Sequence, residues 1–234
     1  MRIGIIGAGM IGGTLARRLA QLGHQIAIAN SRGPETLRDF ASEVGATAVT
    51  SLDAARSGEI VVIAIPESAV PDLPSDLFAG VPADIVVIDT GNYYPSRDGR
   101  ILAIEQGQPE SAWVAGQIHR PVIKAFNNIY FQSLSENGRP KGRRDRIALP
   151  VAGDLLEGRA RVSQLVEELG FDPVDAGGIE ESWRQQPGTP CYTRDDNADQ
   201  LKAALAAAVR SRVPEYRKAA DDAAKAYFQT EPDR

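Results

Sequence analysis

Residues 7 to 12 read Gly7-Ala8-Gly9-Met10-Ile11-Gly12, and their setting constrains the chain even more than the glycine spacing does. The apolar stretch 2–6 runs straight into the first glycine. A segment of helical period, with Leu15, Leu19 and Leu22 on one face, runs out of the last. A second apolar stretch at 25–29 closes a strand–turn–helix–strand unit of about thirty residues. In such a unit each glycine has its own task. Gly7 makes the tight turn, Gly9 lets a pyrophosphate approach the backbone, and Gly12 lets helix and strand pack closely. The free N–H groups and dipole of the helix start then face an anion.

Beyond this unit, short β-branched runs alternate with longer helix-period segments, the pattern of a parallel sheet with crossover helices. Strands are expected at 2–6, 25–29, 47–49, 60–65, 85–89 and 122–126, with helices at 10–22 and 34–44 and a brief one at 52–56. The polar, basic stretch 138–145 reads as an exposed loop or boundary. After it come strands at 147–151 and 173–174 flanking a helix at 158–169. Residues 186–192 (QPGTPCY, with Tyr192 last) are irregular, because two prolines and a glycine fall close together. A long Ala-rich helix is expected over 197–226, kinked or broken at Pro214. The fold class is therefore α/β: a Rossmann-type, doubly wound, mostly parallel sheet with a small C-terminal α/β extension and a long C-terminal helix. Residues 1–137 form the dinucleotide domain of this reading, and 146–234 the extension.

The end of the second strand bears on which dinucleotide is held. An acid there grips a ribose 2′-OH, whereas this chain has Asn30-Ser31-Arg32. A carboxylate would repel a 2′-phosphate; Ser31 can donate to it and Arg32 can clamp it. That points to NADP(H). Ala64, Ile65 and Pro66, at the end of the fourth strand, are expected against ribose and nicotinamide. Gly91 and Asn92 lie at the same rim after the fifth strand, and Ala125 and Asn127 after the sixth, where the Asn127 amide could orient the carboxamide. Tyr93 and Asn128 are the expected contacts of a docked redox partner, although Tyr93 and Tyr94 also read as ordinary surface-loop residues. Catalytic residues are not identifiable. Asp89, His119 and Lys124 are the local candidates for an acid, each with a plainer reading: a turn-capping carboxylate, a loop histidine and a solvated lysine.

The G-A-G-M-I-G start, N-S-R after the second strand, A-I-P after the fourth, K-A-F-N-N after the sixth and V-A-G-D at 151–154 together resemble the NADP oxidoreductase family of the coenzyme F420-dependent type. The dinucleotide domain is also similar to that of the STEAP metalloreductases. The resemblance runs from residue 1 to about 178. It implies NADP across Gly7 to Gly12 and Ser31-Arg32, nicotinamide near Ile65-Pro66 and the sixth strand end, and direct hydride transfer to F420 or a flavin. At Asn127-Asn128-Ile129-Tyr130 the chain departs from the archaeal F420-dependent members, which carry His-Thr and then a proline. The tail after Gly178 differs as well.

Three activities fit these features: hydride transfer between NADP(H) and F420, a flavin or a small organic acceptor; reduction of a small imine or keto acid; and non-catalytic NADP(H) sensing. A net charge of −5 gives no reason to expect nucleic acid or a membrane surface as partner. One cysteine, Cys191, and two histidines, His24 and His119, leave no disulfide and no Cys-rich metal site. No apolar run reaches membrane-spanning length, so a cytoplasmic protein is expected. The small-residue stretch 203–208 suits packing onto its own core or against a second subunit, so a homodimer is one arrangement it allows.

Overall fold

The computed structural model describes residues 1–230. Six strands make one parallel sheet: β1 (Arg2–Ile6), β2 (Gln25–Ala29), β3 (Thr47–Ala48), β4 (Ile60–Ile63), β5 (Val86–Asp89) and β6 (Ile123–Lys124), in the order β3-β2-β1-β4-β5-β6. The order reverses between β1 and β4, so their C-terminal ends diverge into the crevice where a doubly wound sheet takes its ligand. Every residue of β4 and β5 is buried, as expected for strands covered on both faces.

The helices of the first half are α1 (Met10–Gln21), α2 (Arg38–Val44), α3 (Ser51–Ser57), α4 (Pro95–Asp98), α5 (Leu102–Glu105), α6 (Glu110–Ile118) and α7 (Phe131–Glu136). Leu15, Ala16 and Leu19 of α1 pack on one face of the sheet with Ile3, Ile5, Ile26 and Ile28. Trp113 and Val114 of α6 join Ile6, Val61, Ile63 and Val87 on the other. Short 3₁₀ turns precede α2 (Pro34–Leu37) and follow β4 (Glu67–Asp72). Strand β4 stops at Ile63, three residues before Pro66: after Ala64 donates to Ile6 the ladder ends.

The second half adds β7 (Ala148–Val151), α8 (Leu156–Glu168) and β8 (Asp172–Asp175), with β7 and β8 parallel to each other. An antiparallel bridge joins Lys124 to Ala152, through reciprocal hydrogen bonds of 2.8 and 3.1 Å. Leu149, Val151, Val162 and Leu165 share one apolar cluster with Ile5, Ile88 and Phe126, so the core runs on across the basic loop. Arg18 ties the halves further, donating to the carbonyls of Leu134, Ser135 and Leu169.

The Ala-rich stretch expected as a helix kinked or broken at Pro214 is broken just before it, and the long C-terminal helix is the part that follows. Asn197 opens α9 (Ala198–Ala207) with a capping box completed by Gln200. The chain then turns, and α10 (Val213–Thr230) begins with Pro214 in its first turn, where the missing N–H costs nothing. Of the two expectations for Pro214, the break holds and the kink does not. Among the described residues no helix is long and apolar enough to cross a membrane.

Candidate dinucleotide and acid site

Gly7 has φ +111°, and a Cβ there would lie 2.1 Å from the Ala64 carbonyl oxygen. A Cβ on Gly12 would lie 2.0 Å from the Gly7 oxygen. Side chains at either position are excluded by backbone, which is what seats α1 against the β1–β4 crevice. Gly9 is different, because a Cβ there would meet nothing within 4 Å. Its lack of a side chain serves no internal contact, and it leaves a cradle on the outside of the turn. Gly9 is also the N-cap of α1, with no side-chain cap and no acid in the first turn. The leading N–H groups of a 12-residue helix therefore face open space, which fits a bound pyrophosphate. Ala8, Met10 and Ile11 line the same turn and are all partly or fully exposed.

At the end of β2 the Asn30 side chain organises the following loop. Its Oδ1 accepts from the Arg32 amide at 3.0 Å, and its Nδ2 donates to Thr36 Oγ1 at 2.9 Å. Ser31 and Arg32 are exposed, and the Arg32 guanidinium has no ion pair among the described residues. Glu35, two residues on from Gly33, packs against it.

The rims of β4, β5 and β6 hold the least expected chemistry. Lys124 is fully buried, not solvated. Its Nζ donates to Asp89 Oδ2 at 3.1 Å and to the Gly91 carbonyl. Asp89 does cap its turn, accepting from the Gly91 amide at 2.9 Å, but its other oxygen also accepts from Ser111 at 2.5 Å. Two more carboxyls are buried with this pair: Glu67, from the turn after β4, and Glu110, from the start of α6. Glu67 Oε2 accepts from Arg97 at 3.3 Å, while Oε1 has no partner among the described residues. Neither Glu110 side-chain oxygen is reached by a hydrogen bond of good geometry.

Three carboxyls thus surround one ammonium in a site closed to water. Burial drives the Glu67 carboxyl well above its usual range; Lys124 opposes this, and the charges of Glu110 and Asp89 reinforce it. Burial likewise pushes Glu110 up to about 7, against the pull of Lys124, Arg217 and the Tyr93 amide. Lys124 itself is pulled down by burial, but the charges of Asp89, Glu110 and Glu67 outweigh that, and its net shift is upward. Burial thus disfavours the charged form of both glutamates, while the neighbouring carboxylates favour the charged form of Lys124.

Tyr93 is not a surface residue. It is fully buried, with its hydroxyl donating to the Gly99 carbonyl at 2.9 Å and accepting from the Ile101 amide at 3.0 Å, so it offers no face to a docked partner. Tyr94 is partly buried, its hydroxyl 2.5 Å from that of Tyr192. Burial, first of all, raises Tyr94 to about 12 and Tyr192 well above the usual phenol value. Asn127 spends its amide internally, donating to Asn92 Oδ1 (3.1 Å) and the Gln185 carbonyl (2.7 Å) and accepting from Gln185 Nε2 (3.0 Å). Asn128 is 1% exposed, and its side-chain amide atoms have no partner among the described residues. Phe126, between Ala125 and Asn127, sits at φ +63°, a left-handed conformation that costs an aromatic residue about 1–3 kcal/mol. His119 lies at the far end of the sheet, before β6 starts, beside Arg120, which donates to the Phe78 and Val81 carbonyls. It is remote from the crevice rim. The buried Cys191 thiol donates to the Arg184 carbonyl and is raised by burial to about 11, so it is no nucleophile.

The site is closed from above by a third 3₁₀ turn (Ile179–Gln185) and the irregular stretch after it, which bring Gln185 and Tyr192 over the rim. Glu67, Arg97, Glu110, Gln185 and Tyr192 join the site without being among the residues expected there from sequence. Glu110 had a signal: it stands three and four residues before Trp113 and Val114, on the buried face of α6. Gln185 and Tyr192 had none, because only the tertiary fold brings them to the rim.

Sheet order, switch point and glycine turn together define a Rossmann-type, nucleotide-binding protein. Over residues 2–93 the chain matches the family described as NADP oxidoreductase coenzyme F420-dependent, so the resemblance read from the sequence holds there. It is 46% identical over 71 residues to protein YjhV of Escherichia coli K12, a match covering 30% of this chain and 52% of that one. It is 26% identical over 181 residues to the metalloreductase STEAP3 of Rattus norvegicus, covering 76% of this chain and 34% of STEAP3. The chain therefore spans about half or less of these two relatives. The crystal structure of the hypothetical protein SMa0349 from Sinorhizobium meliloti aligns with a TM-score of 0.68 at 29% identity, covering 83% of this chain and 94% of that one.

Proposed function

We propose that the protein is an NADP(H)-dependent oxidoreductase that moves hydride between nicotinamide C4 and a second redox partner: F420, a flavin or a small organic acceptor. The observation that carries the reading is the bare cradle at Gly9, over an α1 start with no acid, beside a β2 end that offers an unpaired arginine instead of a carboxylate. In this reading the Gly7–Gly12 turn holds the pyrophosphate, and Ser31 and Arg32 hold the 2′-phosphate. Ala64, Ile65, Pro66, Gly91, Asn92 and Ala125 form the wall that orients the nicotinamide. Bound there, the cofactor would supply the hydride.

The chain's own contribution is placement in a water-poor crevice, which brings reacting atoms to within about 3–3.5 Å. The match to the NADP oxidoreductase family over 2–93 supports the same reading. Stopped-flow absorbance of NADPH with F420, FMN, FAD and a panel of carbonyl compounds tests it. Oxidation of NADPH by at least one acceptor is expected. Tight binding without turnover against the whole panel would replace the enzyme with an NADP(H) sensor.

A further inference from the structure

Three carboxamides meet where the third 3₁₀ turn crosses the end of β6. Asn127 is buried, and its two donors go to Asn92 Oδ1 and the Gln185 backbone carbonyl. Its Oδ1 accepts from Gln185 Nε2 at 3.0 Å, and the same nitrogen lies 3.5 Å from the Lys124 carbonyl oxygen. Gln185 is 0% exposed, yet its Oε1 has no partner among the described residues. Asn128, next along the chain, adds one more donor and acceptor without partners there. A buried polar atom left unpaired costs free energy, so this seat holds the Gln185 side chain imperfectly. The backbone is strained at the same point, because Phe126 stands at φ +63° immediately before Asn127. Strain and unmet hydrogen bonds thus fall together at one strand end on the crevice rim.

The chemistry of the occupant names the ligand. A glutamine side chain ends in a primary carboxamide, one carbonyl acceptor beside an NH₂ group with two donors, and so does nicotinamide. We infer that Gln185 is an internal stand-in for the nicotinamide carboxamide: it fills the subsite made by Asn127 and the Lys124 carbonyl, and NADP(H) displaces it on binding. The inference rests on the NADP(H) reading above and adds a gate at the nicotinamide end of the crevice. The incoming NH₂ group takes over the hydrogen bond to Asn127 Oδ1. The turn that carries Gln185 is anchored, since Arg184 donates to the Leu205 and Ala208 carbonyls and its guanidinium lies 4.4 Å from the Trp183 ring centroid. The side chain is therefore the part that moves. Because the exchange happens only at the nicotinamide end, the adenosine half of the cofactor binds without it. Gln185 thus lowers the affinity for the whole cofactor by the share of molecules in which it keeps its seat.

Two measurements on the full-length protein judge it, each with NADP⁺ and with adenosine 2′,5′-bisphosphate, which lacks the nicotinamide half. In nitrogen-correlated NMR spectra, saturating NADP⁺ should move the Gln185 side-chain amide signals to the position of a free glutamine. Adenosine 2′,5′-bisphosphate should leave them in place. By calorimetry, Gln185→Ala should bind NADP⁺ about fivefold more tightly than wild type, and the bisphosphate equally well. A glutamine that only braces the rim would instead leave the affinity for NADP⁺ unchanged or lower it when removed. Gln185 signals unmoved by NADP⁺, or a Gln185→Ala protein whose NADP⁺ affinity does not rise, would each overturn the inference. The NMR arm uses the wild-type chain and so decides the matter where Gln185→Ala does not fold. If neither ligand binds the wild type, the NADP(H) reading fails and takes the inference with it. If both bind while Gln185 keeps its seat, the inference alone falls.

Discussion

The glycines of the first turn differ in what a methyl group would meet, and that difference separates folding from binding. Gly12→Ala places Cβ 2.0 Å from a backbone oxygen, so α1 must shift. A stability loss of about 2 kcal/mol or more is expected in denaturant unfolding, together with loss of NADPH affinity. Gly9→Ala meets open space at a φ of −72°, so its unfolding midpoint should match wild type while NADPH binds at least about tenfold more weakly. If Gly9→Ala bound NADPH normally, the cradle would not be a phosphate site. The buried pair gives a second test. Lys124→Met leaves Asp89, Glu67 and Glu110 without their ammonium, and should cost about 3–5 kcal/mol at neutral pH in the same assay. The turn role of Gly7 and the packing role of Gly12 were legible because they depend on local spacing alone. Lys124 was misread as solvated because the alternation rule presumes a sheet with a wet face. In a parallel sheet covered on both sides, a lysine within an apolar run has to be paired.

At the scale of elements, most strands were legible, because β-branched runs buried on both faces have few alternatives. The shortest helices were not: α4 and α5 have four residues each, too few to set up a period. The C-terminal helices show a further limit. Ala-rich sequence over 197–226 favours one helix, and only the first-turn preference of Pro214 and the exit of the chain after Ala208 divide it. The division matters because it sends α10 back over the rim. There Asp221 accepts from the Ser96 amide and hydroxyl at 2.9 and 2.6 Å, and Arg217 lies over the Tyr93 ring. Asp221→Ala should therefore lower stability by about 1–3 kcal/mol by leaving a partly buried amide unpaired, seen as a lowered denaturant midpoint. It should also loosen the segment carrying Tyr94 and Arg97, measurable as faster amide hydrogen exchange over residues 92–101.

For the molecule as a whole, the buried acids set a pH dependence. The Glu110 carboxyl titrates near 7 when folded, against an ordinary value of 4.5. Its contribution is fully present below about 4.5 and is lost as pH rises through about 7, amounting to at most about 3 kcal/mol. Glu110→Gln removes that loss, so its melting temperature relative to wild type should rise between pH 5 and pH 8; a constant difference would place the carboxyl in an ordinary environment. The larger question is which dinucleotide the crevice holds, and titration calorimetry with NADPH and NADH, on wild type and Arg32→Ala, answers it most directly. NADPH should bind the wild type at least about tenfold more tightly than NADH, and Arg32→Ala should abolish most of that preference while leaving NADH affinity unchanged. Equal or tighter binding of NADH by the wild type would contradict it.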